Sequence, residues 1–184
     1  MSFNKIVFIV SVLVSLQLSS CMKTYTLLNG ITKVPVEKSK YDNKSKFNVN
    51  LVSTVDTNVV YEAFNTYKGI LSRLDDEANS FYGAYKFYSN GYFNLFILKK
   101  HARLNSNMNP EYEGYRGVYY EEDGKIKYDL YSLVNQHQTL GRSSGEFIFK
   151  QNRLYIVGPG KNNYNDLYLK RELPEDFIYY KPNW

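Results

Sequence analysis

Residues 84–98 read AYKFYSNGYFNLFIL, two aromatic-rich runs on either side of Asn90-Gly91. Asn-Gly between alternating apolar residues is the strongest short-range hairpin signal, because both residues accept the left-handed backbone of a tight turn. The pattern recurs downstream. YRGVYYEEDGKIKYDLYSLV (115–134) turns at Asp123-Gly124, and EFIFKQNRLYIVG (146–158) turns at Gln151-Asn152. DLYLKREL (166–173) reads as a last strand, and Pro174 opens an irregular tail ending in Trp184. Between these lie polar stretches, KKHARLNSNMNPEYEG (99–114) and NQHQTLGRSSG (135–145), expected as loops. Successive hairpins at this spacing predict a mainly β chain, an antiparallel meander of about seven to nine strands. Such a meander hides its edges best by closing into a small barrel or half-barrel.

Upstream the pattern is less regular. FNVNLVSTV (47–55) alternates and reads as a strand starting the folded domain near Phe47. VVYEAFNTYKGILSRLDDEAN (59–79) carries Val60, Phe64, Tyr67, Leu71 and Leu74 at helical spacing. A short helix near residues 59–75 and a strand over Val59–Phe64 followed by a loop both fit it. Residues 22–46 hold six lysines and few apolar residues, the composition of a tether. Within them TLLNGITKVPV (26–36) could form a strand or edge hairpin.

The N-terminus supplies an address. Lys5 precedes an apolar run, Ile6–Leu18, which is too short for the roughly 20 residues of a membrane-spanning helix. Small residues Ser19 and Ser20 follow, then Cys21, the sole cysteine of the chain. This is the layout of a secretory signal. Leu18-Ser19-Ser20-Cys21 resembles a bacterial lipobox. The resemblance implies cleavage between Ser20 and Cys21 and attachment of acyl chains to Cys21, which would anchor the protein in a membrane. Two or more chains are needed for stable attachment. No aspartate follows the cysteine, which by the same resemblance favours the outer membrane, and without an acidic cluster the periplasmic face is expected. The expected organisation is a signal peptide over 1–20, a lipidated cysteine and tether over 21–46, and one β-rich domain over 47–184.

Charge and composition narrow the function classes. The net charge of +5 on 184 residues is mild and scattered, so no nucleic-acid partner is expected. With Cys21 acylated, no thiol remains for a disulfide or a metal, and no cofactor is expected. His101 and His137 lie far apart, without the spacing of a metal pair. Gly141-Arg-Ser143-Ser-Gly145 matches the short nucleophile pattern, but a strand follows it where a hydrolase needs a helix, and both histidines precede it. Gly158-Pro-Gly-Lys161 lacks the remainder of a phosphate loop. Glu111, Glu113, Glu121, Glu122 and Asp123 read as solvated turn charges, and Lys99–Arg103 as a solvated basic run. An enzyme is not expected.

The compositional excess is aromatic, with 19 Tyr and 11 Phe. Tyrosine joins an apolar body to a polar tip and suits both pleated surfaces and binding sites. Tyr85, Phe87, Tyr92, Tyr115, Tyr119, Tyr128 and Tyr155 are the candidate lining of a ligand cavity inside the barrel.

VDTNVVYE (55–62), YKFYSNGYFNLF (85–96), GYRGVYYEEDGKIKYDLYS (114–132) and GEFIFKQNRLYIV (145–157), in that order, resemble a group of small lipoproteins from Bacteroidetes-type bacteria. The resemblance covers residues 55–158 and implies a lipocalin-like domain in the cell envelope. It supplies no catalytic residues. The chain departs from it in the insert between Phe64 and Ala84, and in Lys86, where arginine is frequent. The expected function is a binding module for a small apolar or amphipathic ligand. The alternative is an envelope protein that contacts a protein or glycan through an exposed aromatic β surface.

Overall fold

The computed structural model describes residues 22–67, 81–99, 108–133, 139–158 and 165–184. Ten strands are present: β1 (Thr24–Thr26), β2 (Lys33–Pro35), β3 (Val59–Tyr67), β4 (Phe81–Phe87), β5 (Tyr92–Lys99), β6 (Tyr115–Glu122), β7 (Lys125–Leu133), β8 (Leu140–Lys150), β9 (Arg153–Val157) and β10 (Asn165–Glu172). Strands β3 to β10 form a closed barrel in which each strand pairs antiparallel with its neighbours, and β10 returns to β3. The meander therefore closes completely, and the eight strands leave no edge.

The three expected hairpins are there. Asn90-Gly91 joins β4 to β5, Asp123-Gly124 joins β6 to β7, and Gln151-Asn152 joins β8 to β9. Asp123, Gly124 and Gln151 all have positive φ (53°, 68° and 52°), as tight hairpin turns require. All three turns lie at one end of the barrel, here called the plugged end. The other end, where Tyr67, Phe81, Lys99, Tyr115, Leu133, Leu140, Val157 and Asn165 end or begin their strands, is the mouth.

Several sequence expectations are corrected. Val59–Tyr67 is a strand, so of the two readings for 59–75 the strand holds as far as residue 67; residues 68–80 lie outside the described residues. Phe47–Val55 is not a strand. Val49–Ser53 is a 3-10 helix whose N-cap, Asn48, accepts a bond from the Asn50 N–H. The alternation of 47, 49 and 51 misled, because the residues that pack inward are four apart: Phe47, Leu51 and Val55. Val49 stays 69% exposed. These three side chains seal the plugged end. The expected loop 135–145 also yields to the fold, since β8 starts at Leu140. Ser143 and Ser144 are thus strand residues, donating to the Leu130 carbonyl (3.3 Å) and the Asp129 carboxylate (2.6 Å).

Residues 22–46 do more than span a distance. β1 and β2 form a hairpin, and a 3-10 helix follows over Lys38–Lys46. Leu27, Val34 and Tyr41 are buried. The compact unit thus begins well before Phe47.

Two aromatic layers result. Inside, Phe147 is a hub beside Phe87, with ring centroids 4.4 Å from Tyr128, 5.2 Å from Phe87 and Phe93, and 5.7 Å from Tyr85. Such edge-on and offset contacts add about 0.5–1.5 kcal/mol each beyond area burial. Outside, the wall of β3 to β7 is covered by the N-terminal segment and by the tail 173–184. Phe177 packs with Val60, Ala84, Phe96, Leu98 and Met108. Trp184 packs with Tyr41, Tyr88, Tyr92, Val118, Tyr120 and Tyr131.

That outer coat is held by a polar row. Lys86, Asn94, Arg116 and Tyr131 are directly paired across β4, β5, β6 and β7, and all face outward. All four are buried. The Lys86 ammonium donates to the carbonyls of Thr57 and Phe87. Asn94 accepts from the Tyr88 hydroxyl at 3.1 Å and donates to the Tyr115 carbonyl at 3.3 Å. The Arg116 guanidinium donates to the Tyr25 hydroxyl and the Pro110 carbonyl and lies 4.5 Å from the Trp184 ring. The Tyr131 hydroxyl donates to the Lys40 carbonyl at 2.6 Å. Each of these four side chains thus finds at least one partner in the coat or in the backbone beside it, as burial demands, while Arg116 Nε is buried without one.

Candidate ligand site

Inward positions follow from the register. On β4 they are Phe81, Gly83, Tyr85 and Phe87; on β5, Phe93, Leu95, Ile97 and Lys99. On β6 they include Tyr115, Gly117 and Tyr119, which face Tyr128 and Leu130 of β7. On β10, Asp166 and Tyr168 stand opposite Ile156 and Leu154 of β9.

The plugged half of the lumen is packed solid. Tyr85, Phe87, Tyr119 and Tyr128, four of the expected lining residues, are at most 6% exposed and interlock with Phe93, Phe147 and Leu154. Two glycines make this packing fit. A methyl group at Gly117 would collide with the Phe93 ring, and one at Gly145 would come within 2.8 Å of the Tyr128 ring and hydroxyl. These four expected cavity residues therefore form a floor. Tyr115 sits half-buried above it, packed against the same cluster. Tyr92 and Tyr155 do not line the lumen. Tyr92 pairs with the outward Val118 and lies 5.2 Å from Trp184. Tyr155 lies between the inward Leu154 and Ile156, so strand alternation turns it outward.

The floor is polar at its upper face. Tyr85 and Tyr168 stand ring to ring there, with centroids 4.9 Å apart. Burial, with the added negative charge of Asp166, pushes the phenols of Tyr85 and Tyr168 well up and that of Tyr128 up to about 12. All three stay protonated at neutral pH. Asp166, half-buried and inward, brings a carboxylate to this level.

Above the floor the wall turns apolar and open. Ile97 and Phe81 occupy inward positions yet are 46% and 53% exposed. Leu95 and Tyr115 are half-buried beneath them. Among the described residues the mouth is therefore a cup whose wall combines Phe81, Leu95 and Ile97 with the inward Lys99, over a floor of three phenols and one carboxylate.

A second concavity lies outside the barrel at the plugged end. It has a volume of about 360 Å³ and sits between Lys86, the β4–β5 turn and the tail residues Tyr179–Pro182. Burial lowers the Lys86 ammonium to about 8, against the opposing pull of Asp56. The sequence reading passed over Lys86 as a site. Its one signal was a cation inside the aromatic run YKFY, where an outward strand position normally meets water.

Cys21 and Ser20 lie outside the described residues, as do His101 and His137. Among the described residues no group of three or more His, Cys, Asp or Glu could hold a metal. The fold and cup define a class, a small closed up-and-down β-barrel with an aromatic core. Compared with family models, curated proteins and solved structures, the chain has no match.

Proposed function

We propose that this protein is a lipid-anchored lipoprotein of the bacterial envelope, one of the Bacteroidetes-type group its motifs resemble. In this reading it is held by acyl chains on Cys21 in the outer membrane, facing the periplasm, and carries a small amphipathic ligand in the mouth of its barrel. The observation that carries the ligand reading is the exposure of Phe81 and Ile97 at inward positions. Apolar side chains that face a lumen and remain exposed are the lining expected of a binding cup. The polar floor beneath them suits a ligand with one hydrogen-bonding end and one apolar end. The plugged half excludes a ligand that needs the whole lumen.

The alternative, recognition of a protein or glycan through an exposed aromatic sheet, loses its best surface. The outward tyrosines Tyr88, Tyr92, Tyr120 and Tyr131 are covered by the chain's own segments. It would fall to Leu28 and Ile31, 78% and 80% exposed at the tip of the β1–β2 hairpin, with Tyr112 beside them.

Native mass spectrometry on protein released gently from a bacterial envelope tests the carrier reading. The expected result is a reproducible extra mass, lost on denaturation and absent from Ile97→Lys. A clean apo mass in the wild type would sink it.

A further inference from the structure

We propose that the cavity between the Lys86 wall and the C-terminal tail is a second binding site, for a small carboxylate with an aromatic or apolar body. It lies on the outside of the barrel at the plugged end and is independent of the cup at the mouth.

The charges come first. The cavity is lined by Lys86 and Lys181 and by no aspartate or glutamate. The carboxylate that acts on Lys86 is Asp56, and it is engaged by Lys170 at 2.7 Å. A cavity with two ammonium groups and a low-dielectric wall favours an anion.

Lys86 is built in rather than draped over the surface. It is 2% exposed, and two of its three protons go to the Thr57 and Phe87 carbonyls. The third has no acceptor among the described residues. A ligand carboxylate would complete that shell with a charge-assisted bond. The lining also contains an acceptor short of a donor: Asn90 Oδ1 is buried without a partner, while Asn90 Nδ2 donates to the Pro182 carbonyl at 2.7 Å. A ligand carboxylate completes only Lys86; Asn90 Oδ1 calls for a donor, which a hydroxyl on the ligand body would supply.

The shape and walls set the body of the ligand. About 360 Å³ exceeds what a simple inorganic anion fills and falls within the range of small-molecule sites. Tyr88, Tyr179 and Tyr180 supply ring surface, and Phe87 contributes its backbone carbonyl. Tyr179 is 64% exposed, an apolar face that a bound ring would cover. The tail contributes Tyr179 to Pro182, so binding would also fasten the tail to the β4–β5 turn.

Amide ¹H–¹⁵N spectra of the full-length protein at neutral pH, titrated with 4-hydroxybenzoate and separately with tyramine, test this. The two probes share a phenol ring and carry opposite charge. The expected result is saturable shifts from 4-hydroxybenzoate, confined to residues 57–58, 86–90 and 179–182, with none from tyramine. Lys181→Glu, at an exposed position, leaves the fold intact and weakens binding by about fivefold, close to 1 kcal/mol. Lys86→Met abolishes it. If Lys86→Met fails to fold, Lys181→Glu decides. Absence of saturable shifts up to about 10 mM, a regime weaker than about −2.7 kcal/mol, overturns the proposal. Equal binding of tyramine, or indifference to Lys181→Glu, does so as well.

Discussion

The two walls of this barrel use the same alternating strand pattern and end in opposite environments. On β4 to β7 the outward residues include Lys86, Asn94, Arg116, Val118 and Tyr131, and all are buried. On β8 and β9 the outward residues include Arg142, Ile148, Lys150, Arg153 and Tyr155, and none is. The difference lies in what covers them. The N-terminal segment and the tail lie on the first wall and leave the second in water. The first wall therefore has two cores, one on each face of the same sheet. A polar residue there is an anchor for the coat, while a polar residue on the second wall is a solvated one.

The inner core serves both walls, so cutting it should produce the largest loss. Phe147→Ala removes a hub ring, and a cost of about 3–5 kcal/mol is expected, read as a lower midpoint in urea unfolding. If the cost falls below about 1 kcal/mol, the lumen is not packed as described.

The outer coat comes next. Trp184→Ala should cost about 3 kcal/mol, at the low end for a buried indole, because it also frees the Arg116 guanidinium. The double variant with Arg116→Ala should cost less than the sum of the two single changes. The matching outward change on the bare wall, Lys150→Ala, should stay within about 0.5 kcal/mol. Equal costs on the two walls would break the comparison.

The prediction sharpest in sign is the response to alkali. Lys86 is lowered to about 8 in the fold, against about 10.5 in the unfolded chain. Between these values the unfolded state holds the proton and the folded state does not, so stability from this group rises with pH. Buried tyrosines act in the other direction. Tyr61, Tyr82 and Tyr128 are raised to about 12, chiefly by burial. Above pH 10 the unfolded state ionises first, and stability is lost as pH climbs. Each group contributes a slope of at most about 1.4 kcal/mol per pH unit. Urea midpoints should rise gently from pH 8 to 10 and then fall steeply, and Lys86→Met should flatten only the rise. A fall that starts at pH 8 would contradict the burial of Lys86.

The hairpins were legible in the sequence because their turns are chemical signals: Asn90-Gly91 and Asp123-Gly124 demand backbone that few other pairs accept. Faces within a strand were legible too, since alternation has period two. What covers a face was not. Lys86, Asn94 and Arg116 each look like an ordinary solvated strand position, and only the register reveals that they stand side by side. The plug was misread because Phe47, Val49 and Leu51 mimic alternation, while the inward set Phe47, Leu51 and Val55 spans a different period. Tyr92 and Tyr155 were assigned to the lumen on residue type, but parity along the strand decides orientation, and it sends both outward. The strand Val59–Tyr67 stood level with a helix because Val60, Phe64 and Tyr67 satisfy helical spacing, and propensity yields to tertiary pairing with β10.

The pairing of β3 with β10 also has a kinetic consequence. Closure joins Val59 to Glu172, so the barrel cannot seal until the chain has emerged nearly to its last strand. Until then β3 offers a row of unpaired amides and carbonyls to any neighbouring chain. Contacts this distant in sequence place folding in the millisecond-to-second range typical of all-β domains. A chaperone that shields Val59–Tyr67 during that interval would guard the chain where it is open to pairing with a neighbour.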